Sequence, residues 1–167
     1  MFQALIAIGS NLPAPGFADS VAICEAALNA LEMHDIRIAG RSLWYRTAPV
    51  PASDQPDFIN GVVAAETPLD PVALLAVLHN VEDRFARRRS VPNAARTLDL
   101  DLIDVAGVVM DGPDGPVLPH PRMQDRAFVL VPLRDVAPGW RHPKTGQGVA
   151  ELIAALPEGQ SCCPIPS

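Results

Sequence analysis

Residues 1–12 read MFQALIAIGSNL. Phe2, Ala4, Ile6 and Ile8 alternate with Gln3, Leu5 and Ala7, so at strand periodicity the segment is apolar on both faces. Such a strand needs cover on both sides and belongs in the middle of a sheet. The run stops at Gly9 and carries neither a basic leader nor a small-residue cleavage site, which reads as a first strand and not a secretion signal.

Working outward, the turn GSNLPAPG leads to Asp19 or Ser20 as a helix cap. Val21, Cys24, Leu28 and Leu31 then recur along one helical stripe. Segment 35–46, DIRIAGRSLWYR, alternates as a strand with a break at Gly40 of the kind a bulge makes. A proline-rich loop follows, and FINGVVAAE (58–66) is the next strand. Asp70 caps a second helix with Pro71 at its first position, and Leu74, Leu78, Val81 and Phe85 form its buried stripe. His79, Glu82 and Arg87 fall off that stripe. The chain then enters an apolar strand at DLDL, turns at 111–116, and ends with helical stretches near 125–135 and 148–156. The order β-α-β-β-α-β with short hairpin returns predicts an α+β fold, a ferredoxin-like antiparallel sheet with helices packed on one face and a helical C-terminal extension. One domain over 1–160 is expected, with 161–167, SCCPIPS, as a poorly ordered tail.

At 167 residues, 49% of them hydrophobic, the chain can bury a core without staples and is not a disordered segment. Its formal charge of −6 argues against nucleic acid or an anionic membrane as the main partner. No stretch approaches the roughly 18 apolar residues of a membrane span. Three cysteines give neither a disulfide framework nor zinc spacing, so a reduced, cytoplasmic protein is expected.

Residues 96–103, RTLDLDLI, place Asp99 and Asp101 on the strand face opposite Leu98, Leu100 and Leu102, with Cβ atoms about 7 Å apart. The pair reads either as the solvated face of an edge strand or as two carboxylates with a cation between them. Just upstream lie Arg84, Arg87, Arg88, Arg89 and Arg96, five of the chain's thirteen Lys and Arg residues within thirteen positions. Alone they suit a helix C-terminus; feeding into two carboxylates of a net acidic chain, they suit a polyphosphate clamp better. Carboxylates and phosphates together hold Mg²⁺, and two such ions could be bridged at this spacing. Neither GxxxxGK[ST] nor GxGxxG follows the first strand, so a bound nucleotide depends on arginines and metal.

His120 sits near Arg122 and Arg126 in a proline-rich loop, where a lone histidine is more often structural than functional. His142 has no chemical companion and reads as structural. Phe58 and Phe128 are core positions by default. Asn60 shares a strand face with Phe58, and its amide can pair with the edge of a heterocycle. No serine or cysteine has a convincing base partner, so nucleophilic catalysis is not signalled.

Four separated segments, AIGSNL (7–12), YRTAPV with QPDFIN (45–60), RTLDLDLI (96–103) and LPHPRMQDRAFVLVPL (118–133), together resemble the 6-hydroxymethyl-7,8-dihydropterin pyrophosphokinase family. The resemblance implies transfer of pyrophosphate from ATP to the pterin hydroxymethyl group, with release of AMP and two Mg²⁺ ions. It implies a pterin site at Thr47, Ala48, Val50, Phe58, Asn60 and Phe128. ATP is implied at His79, Glu82, Arg87, Arg89, Arg96, His120 and Arg126, and metal at Asp99 and Asp101. Arg87, Arg96, Asp99 and Asp101 are the implied catalytic set, in a monomer. The chain departs from the family at Pro92, Asn93, Ala94 and Ala95, where an Arg-Trp pair before Gly-Pro is common, which leaves Arg88 or Arg89 to supply a phosphate contact. Phe58 replaces a commoner tyrosine and His79 a glutamine. Two other readings keep part of the pattern: a different Mg²⁺-dependent phosphotransferase that binds no pterin, and a non-enzymatic binding module of the RNA-recognition kind.

Overall fold

A computed structural model describes residues 1–12, 16–49, 52–85 and 97–166. Strand β1 (Phe2–Ser10) is followed by helix α1 (Ser20–Glu32), β2 (Arg37–Arg41), β3 (Tyr45–Thr47), β4 (Phe58–Thr67), α2 (Pro71–Arg84) and β5 (Asp99–Val105). A 3₁₀ turn at Met123–Asp125 then leads into α3 (Ala127–Val136), α4 (Val149–Ala154) and β6 (Cys162–Pro164). The strands form one antiparallel sheet in the order β5-β1-β4-β3-β6, with β2 also paired to β4.

β1 is central, as its two apolar faces require, between β4 and β5. Ala4, Ile6 and Ile8 pack with Cys24, Leu28 and Leu31 of α1 and Leu74, Leu78 and Val81 of α2. On the other face, Leu5 and Val62 pack with Val129, Leu130 and Leu133 of α3 and Leu152 of α4. Helices therefore cover both faces, not the single face expected. The physical reason lies in β1 itself, whose odd-numbered face presents apolar Leu5 and Ala7 that need their own layer. No helix among the described residues is long and apolar enough to cross a membrane.

The caps follow the sequence. Asp19 accepts from Ala22 N at 2.8 Å and Asp70 from Ala73 N at 2.8 Å, with Pro71 next. The break expected at Gly40 is present as a register shift between Ile38 and Gly40, but the segment is split into β2 and β3 and does not resume as one strand. Between the two pieces the Ser42 hydroxyl accepts from Val62 N at 2.9 Å, replacing a ladder bond with a side-chain one.

The tail also differs. Cys162–Pro164 pair with Tyr45–Thr47, and Ile165 N donates to Trp44 O at 2.8 Å while its side chain packs on the first core layer. An otherwise open β3 edge offers backbone groups that need partners, and seven residues suffice to supply them. His142 is structural: its Nδ1 accepts from the backbone N–H groups of Lys144 and Thr145, at 3.2 and 3.4 Å, and its ring meets Trp140 edge-on at 5.9 Å.

Candidate active site

Strand alternation decides which side chains meet. On β4, Ile59, Val63 and Ala65 turn to the α1/α2 core, so Phe58 and Asn60 turn to the α3 side. On β5, Leu98, Leu100 and Leu102 join the same core, and Asp99 and Asp101 are carried to the α3 side with Phe58 and Asn60. β1 sits between these strands and contributes Ala7, Ile8 and Gly9. Thr47 and Ala48 close the cleft from β3, and Arg126 and Phe128 from the start of α3. The cleft spans about 620 Å³ of space between its walls, its open mouth included.

Its polar end is ordered by a close approach. Asn60 Nδ2 donates to Thr47 Oγ1 at 2.6 Å, and the two residues are only 7% and 2% exposed. Asn60 faces Gly9 in the β1–β4 register, and a Cβ on Gly9 would lie 2.6 Å from Asn60 Oδ1. Glycine is therefore needed there, and the amide is held with one N–H, its oxygen and the Thr47 hydroxyl proton still available to a ligand. Opposite, the Arg126 guanidinium lies 5.3 Å from the centroid of the Phe128 ring.

Asp99 and Asp101 are both partly exposed along one wall of this cleft. Among the described residues they form no cluster of three or more His, Cys, Asp or Glu side chains suited to a metal. Two carboxylates facing a ligand cleft still fit Mg²⁺, which takes one or two protein carboxylates and completes its shell with water and phosphate oxygens.

Glu82, off the apolar stripe, is nonetheless buried at 1% exposed, and its Oε2 accepts from Leu100 N at 2.8 Å. β5 is an edge strand, so the outward N–H of Leu100 lacks a strand partner and the α2 carboxylate supplies one. His79 is exposed on α2 and does not line the cleft. His120 lines a neighbouring cavity with Gln124 and His142. Its Nδ1 accepts from Arg122 N at 3.2 Å, which leaves the proton on Nε2 of the neutral ring. Burial, and then the Arg126 charge, hold His120 below the usual histidine range, while Asp99 pulls the other way.

Val50, Arg87, Arg88, Arg89 and Arg96 lie outside the described residues. Ala7, Ile8 and Gly9 were not expected as cleft residues; the one sequence signal for them was a glycine ending a strand of otherwise bulky side chains. Burial pushes the Cys24 thiol up to about 12 and the Cys162 thiol up to about 11, away from the thiolate form.

Residues 5–138 match the family model described as 7,8-dihydro-6-hydroxymethylpterin-pyrophosphokinase (HPPK). The 2-amino-4-hydroxy-6-hydroxymethyldihydropteridine pyrophosphokinase of Pseudomonas aeruginosa is 41% identical over 153 residues, covering 91% of this chain and 90% of that one. The protein of the same name from Synechocystis is 38% identical over 150 residues, covering 90% and 74%. A crystal structure of Plasmodium falciparum HPPK-DHPS has a TM-score of 0.72 at 14% identity, a likeness of fold alone; it covers 92% of this chain, which spans 44% of that longer one. With the family match running from the central strand β1 through the whole of α3, the chain belongs to the 7,8-dihydro-6-hydroxymethylpterin-pyrophosphokinase family.

Proposed function

We propose that this chain transfers pyrophosphate from ATP to the hydroxymethyl oxygen of 6-hydroxymethyl-7,8-dihydropterin, releasing AMP, as a cytoplasmic monomer. The observation that carries the reading is the convergence in one cleft of a heterocycle site, made by Phe58, Phe128, Asn60 and Thr47, with the carboxylates Asp99 and Asp101.

The bicyclic ring lies between Phe58 and Phe128, whose faces contribute area and orientation. Its amide edge is read by Asn60 and by the Thr47–Val50 backbone, which confines the hydroxymethyl group to the carboxylate end of the cleft. Asp99 and Asp101 would hold Mg²⁺ together with the triphosphate, and the metal, two ions in this reading, would supply neutralisation of charge on the phosphate oxygens. Arg87, Arg89 and Arg96, with Arg126 and neutral His120, meet the remaining phosphate charge and the nucleotide; Glu82 holds the edge on which the carboxylates sit. The substrate oxygen forms a bond to the β-phosphorus, the bond from that phosphorus to the oxygen bridging to the α-phosphate breaks, and the hydroxyl proton leaves to solvent. Positioning and electrostatics carry the rate.

Asp99→Ala and Asp101→Ala test this in an assay with ATP, Mg²⁺ and the reduced pterin. Each is expected to lower kcat by roughly 10²-fold or more, since metal charge stabilisation is worth several kcal/mol. Wild-type turnover in either variant overturns the metal assignment. Calorimetry in which the pterin does not bind, with Mg²⁺ and a non-hydrolysable ATP analogue present, overturns the reading as a whole.

A further inference from the structure

The last residues of the chain join two walls of the cleft. Gly159 adopts φ +91°, a left-handed turn that glycine makes without strain, and delivers Gln160 to the start of α3. There the Gln160 amide uses both its ends. Its Oε1 accepts from Ala127 N at 2.8 Å and its Nε2 donates to Asp125 O at 2.8 Å. These two peptide groups flank Arg126, which is the N-cap of α3 but makes no side-chain capping bond. The first N–H groups of a helix have no partner within it, so Gln160 supplies from 33 residues away the acceptor that a local cap would provide.

Two residues on, the segment changes partner. Cys162 pairs with Thr47 and Pro164 with Tyr45, and Ile165 N donates to Trp44 O. One short stretch is therefore fixed at one end to the wall carrying Arg126 and Phe128, and at the other to the wall carrying Thr47. A second tie lies further along α3, where Asp135 Oδ2 accepts from Tyr45 Oη at 2.6 Å and from Leu43 N at 3.2 Å. The two ties hold β3 against both ends of α3.

We propose that residues 160–165 are a brace that sets the spacing of the pterin-binding walls, and that Gln160 is a positioning residue acting through Arg126 and Phe128. This rests on the function proposed above. Gln160 faces backbone groups and not the cleft, so its removal changes the angle at which Phe128 is presented without removing a ligand contact. Pterin affinity is the property it controls; the metal-binding carboxylates stand on β5, at the opposite edge of the sheet.

The test compares wild type with Gln160→Ala and Gln160→Glu, the latter retaining the acceptor for Ala127 N but not the donor to Asp125 O. Loss of two neutral hydrogen bonds converts to roughly 10- to 30-fold weaker pterin binding for Gln160→Ala, measured calorimetrically with Mg²⁺ and a non-hydrolysable ATP analogue. The analogue's own affinity, which also draws on Arg126, is expected to fall by a clearly smaller factor than the pterin's, and Gln160→Glu to recover roughly half of the loss on a logarithmic scale. Amide exchange at Ala127 and Phe128 is expected to quicken in Gln160→Ala while α1 and α2 exchange as before. Unchanged exchange overturns the brace without reference to any ligand. Unchanged pterin affinity in the folded variant overturns the positioning role, as does a proportional fall in pterin and analogue affinity. A wild-type protein that binds no pterin overturns the proposed function instead, and is recognised by failing before any variant is made.

Discussion

Gly9→Ala is the sharpest test of how the pterin end of the cleft is built. The added Cβ would stand 2.6 Å from Asn60 Oδ1 and 3.7 Å from Asn60 Cγ and Ile59 O, so the amide oxygen is the one atom that must move. The cheapest escape is rotation of the Asn60 side chain, which breaks its 2.6 Å bond to Thr47 Oγ1. Both partners are buried, and a buried polar group left unsatisfied costs about 1–3 kcal/mol. Since this cost falls on the conformer that binds the pterin edge, it converts to roughly five- to 150-fold weaker pterin binding. Global stability is a poorer readout, because replacing glycine in an extended strand returns about 0.4–1 kcal/mol through the unfolded chain and offsets part of the crowding. The assay is calorimetric titration of the pterin with Mg²⁺ and a non-hydrolysable ATP analogue, repeated in an Asn60→Ala background. With Asn60 removed, Gly9→Ala is expected to cost less than about twofold more, a non-additivity that reports the contact itself. Wild-type pterin affinity in Gly9→Ala, or full additivity of the two substitutions, refutes the reasoning.

Other expectations follow from the same geometry. Glu82→Ala leaves the Leu100 N–H without its acceptor at a buried edge, so stability should fall by about 1–3 kcal/mol, read as about 2–4 °C in Tm per kcal/mol for a chain of this size, and Glu82→Gln should restore most of it; a Glu82→Ala variant melting with wild type would show that the carboxylate does not support β5. His120 and His142 are both held below the ordinary histidine range, His120 by burial and then the charge of Arg126, His142 by burial and then that of Lys144. Between the folded and unfolded values the unfolded chain binds more protons, so their contribution to stability is present above pH of about 6.5 and lost as pH falls toward the folded values. Tm should decline over that window, and a His120→Gln, His142→Gln double variant should flatten the decline; an identical decline in the double variant would assign it to other groups.

The match of chain to family was legible in short motifs because the chemistry needs particular residues at strand spacing. Asp99 and Asp101 sharing one face of their strand, and Phe58 and Asn60 sharing one face of theirs, follow from a period of two and need no coordinates. The central place of β1 was equally legible, since a strand apolar on both faces needs cover on both sides. The layer on the second face was implied by the same pattern but not drawn from it. The burial of Glu82 was not legible, because helical periodicity leaves it off the apolar stripe, whereas the edge of β5 gives a buried carboxylate a donor to accept from.

What sequence alone determined is therefore the set of local periods, caps and paired carboxylates, each fixed by stereochemistry within a few residues. What only the tertiary structure decided are the meetings of residues far apart in the chain. Gly9 lies against Asn60, Glu82 bonds Leu100, and Gln160 bonds the start of α3 from the position just before the segment that composition marked as loose. Proline and small polar residues in SCCPIPS carry no periodic signal, and a strand of three residues forms there because β3 offers an edge to bond. Such contacts depend on which donors and acceptors the rest of the fold leaves unpaired, and no local window of sequence contains that information.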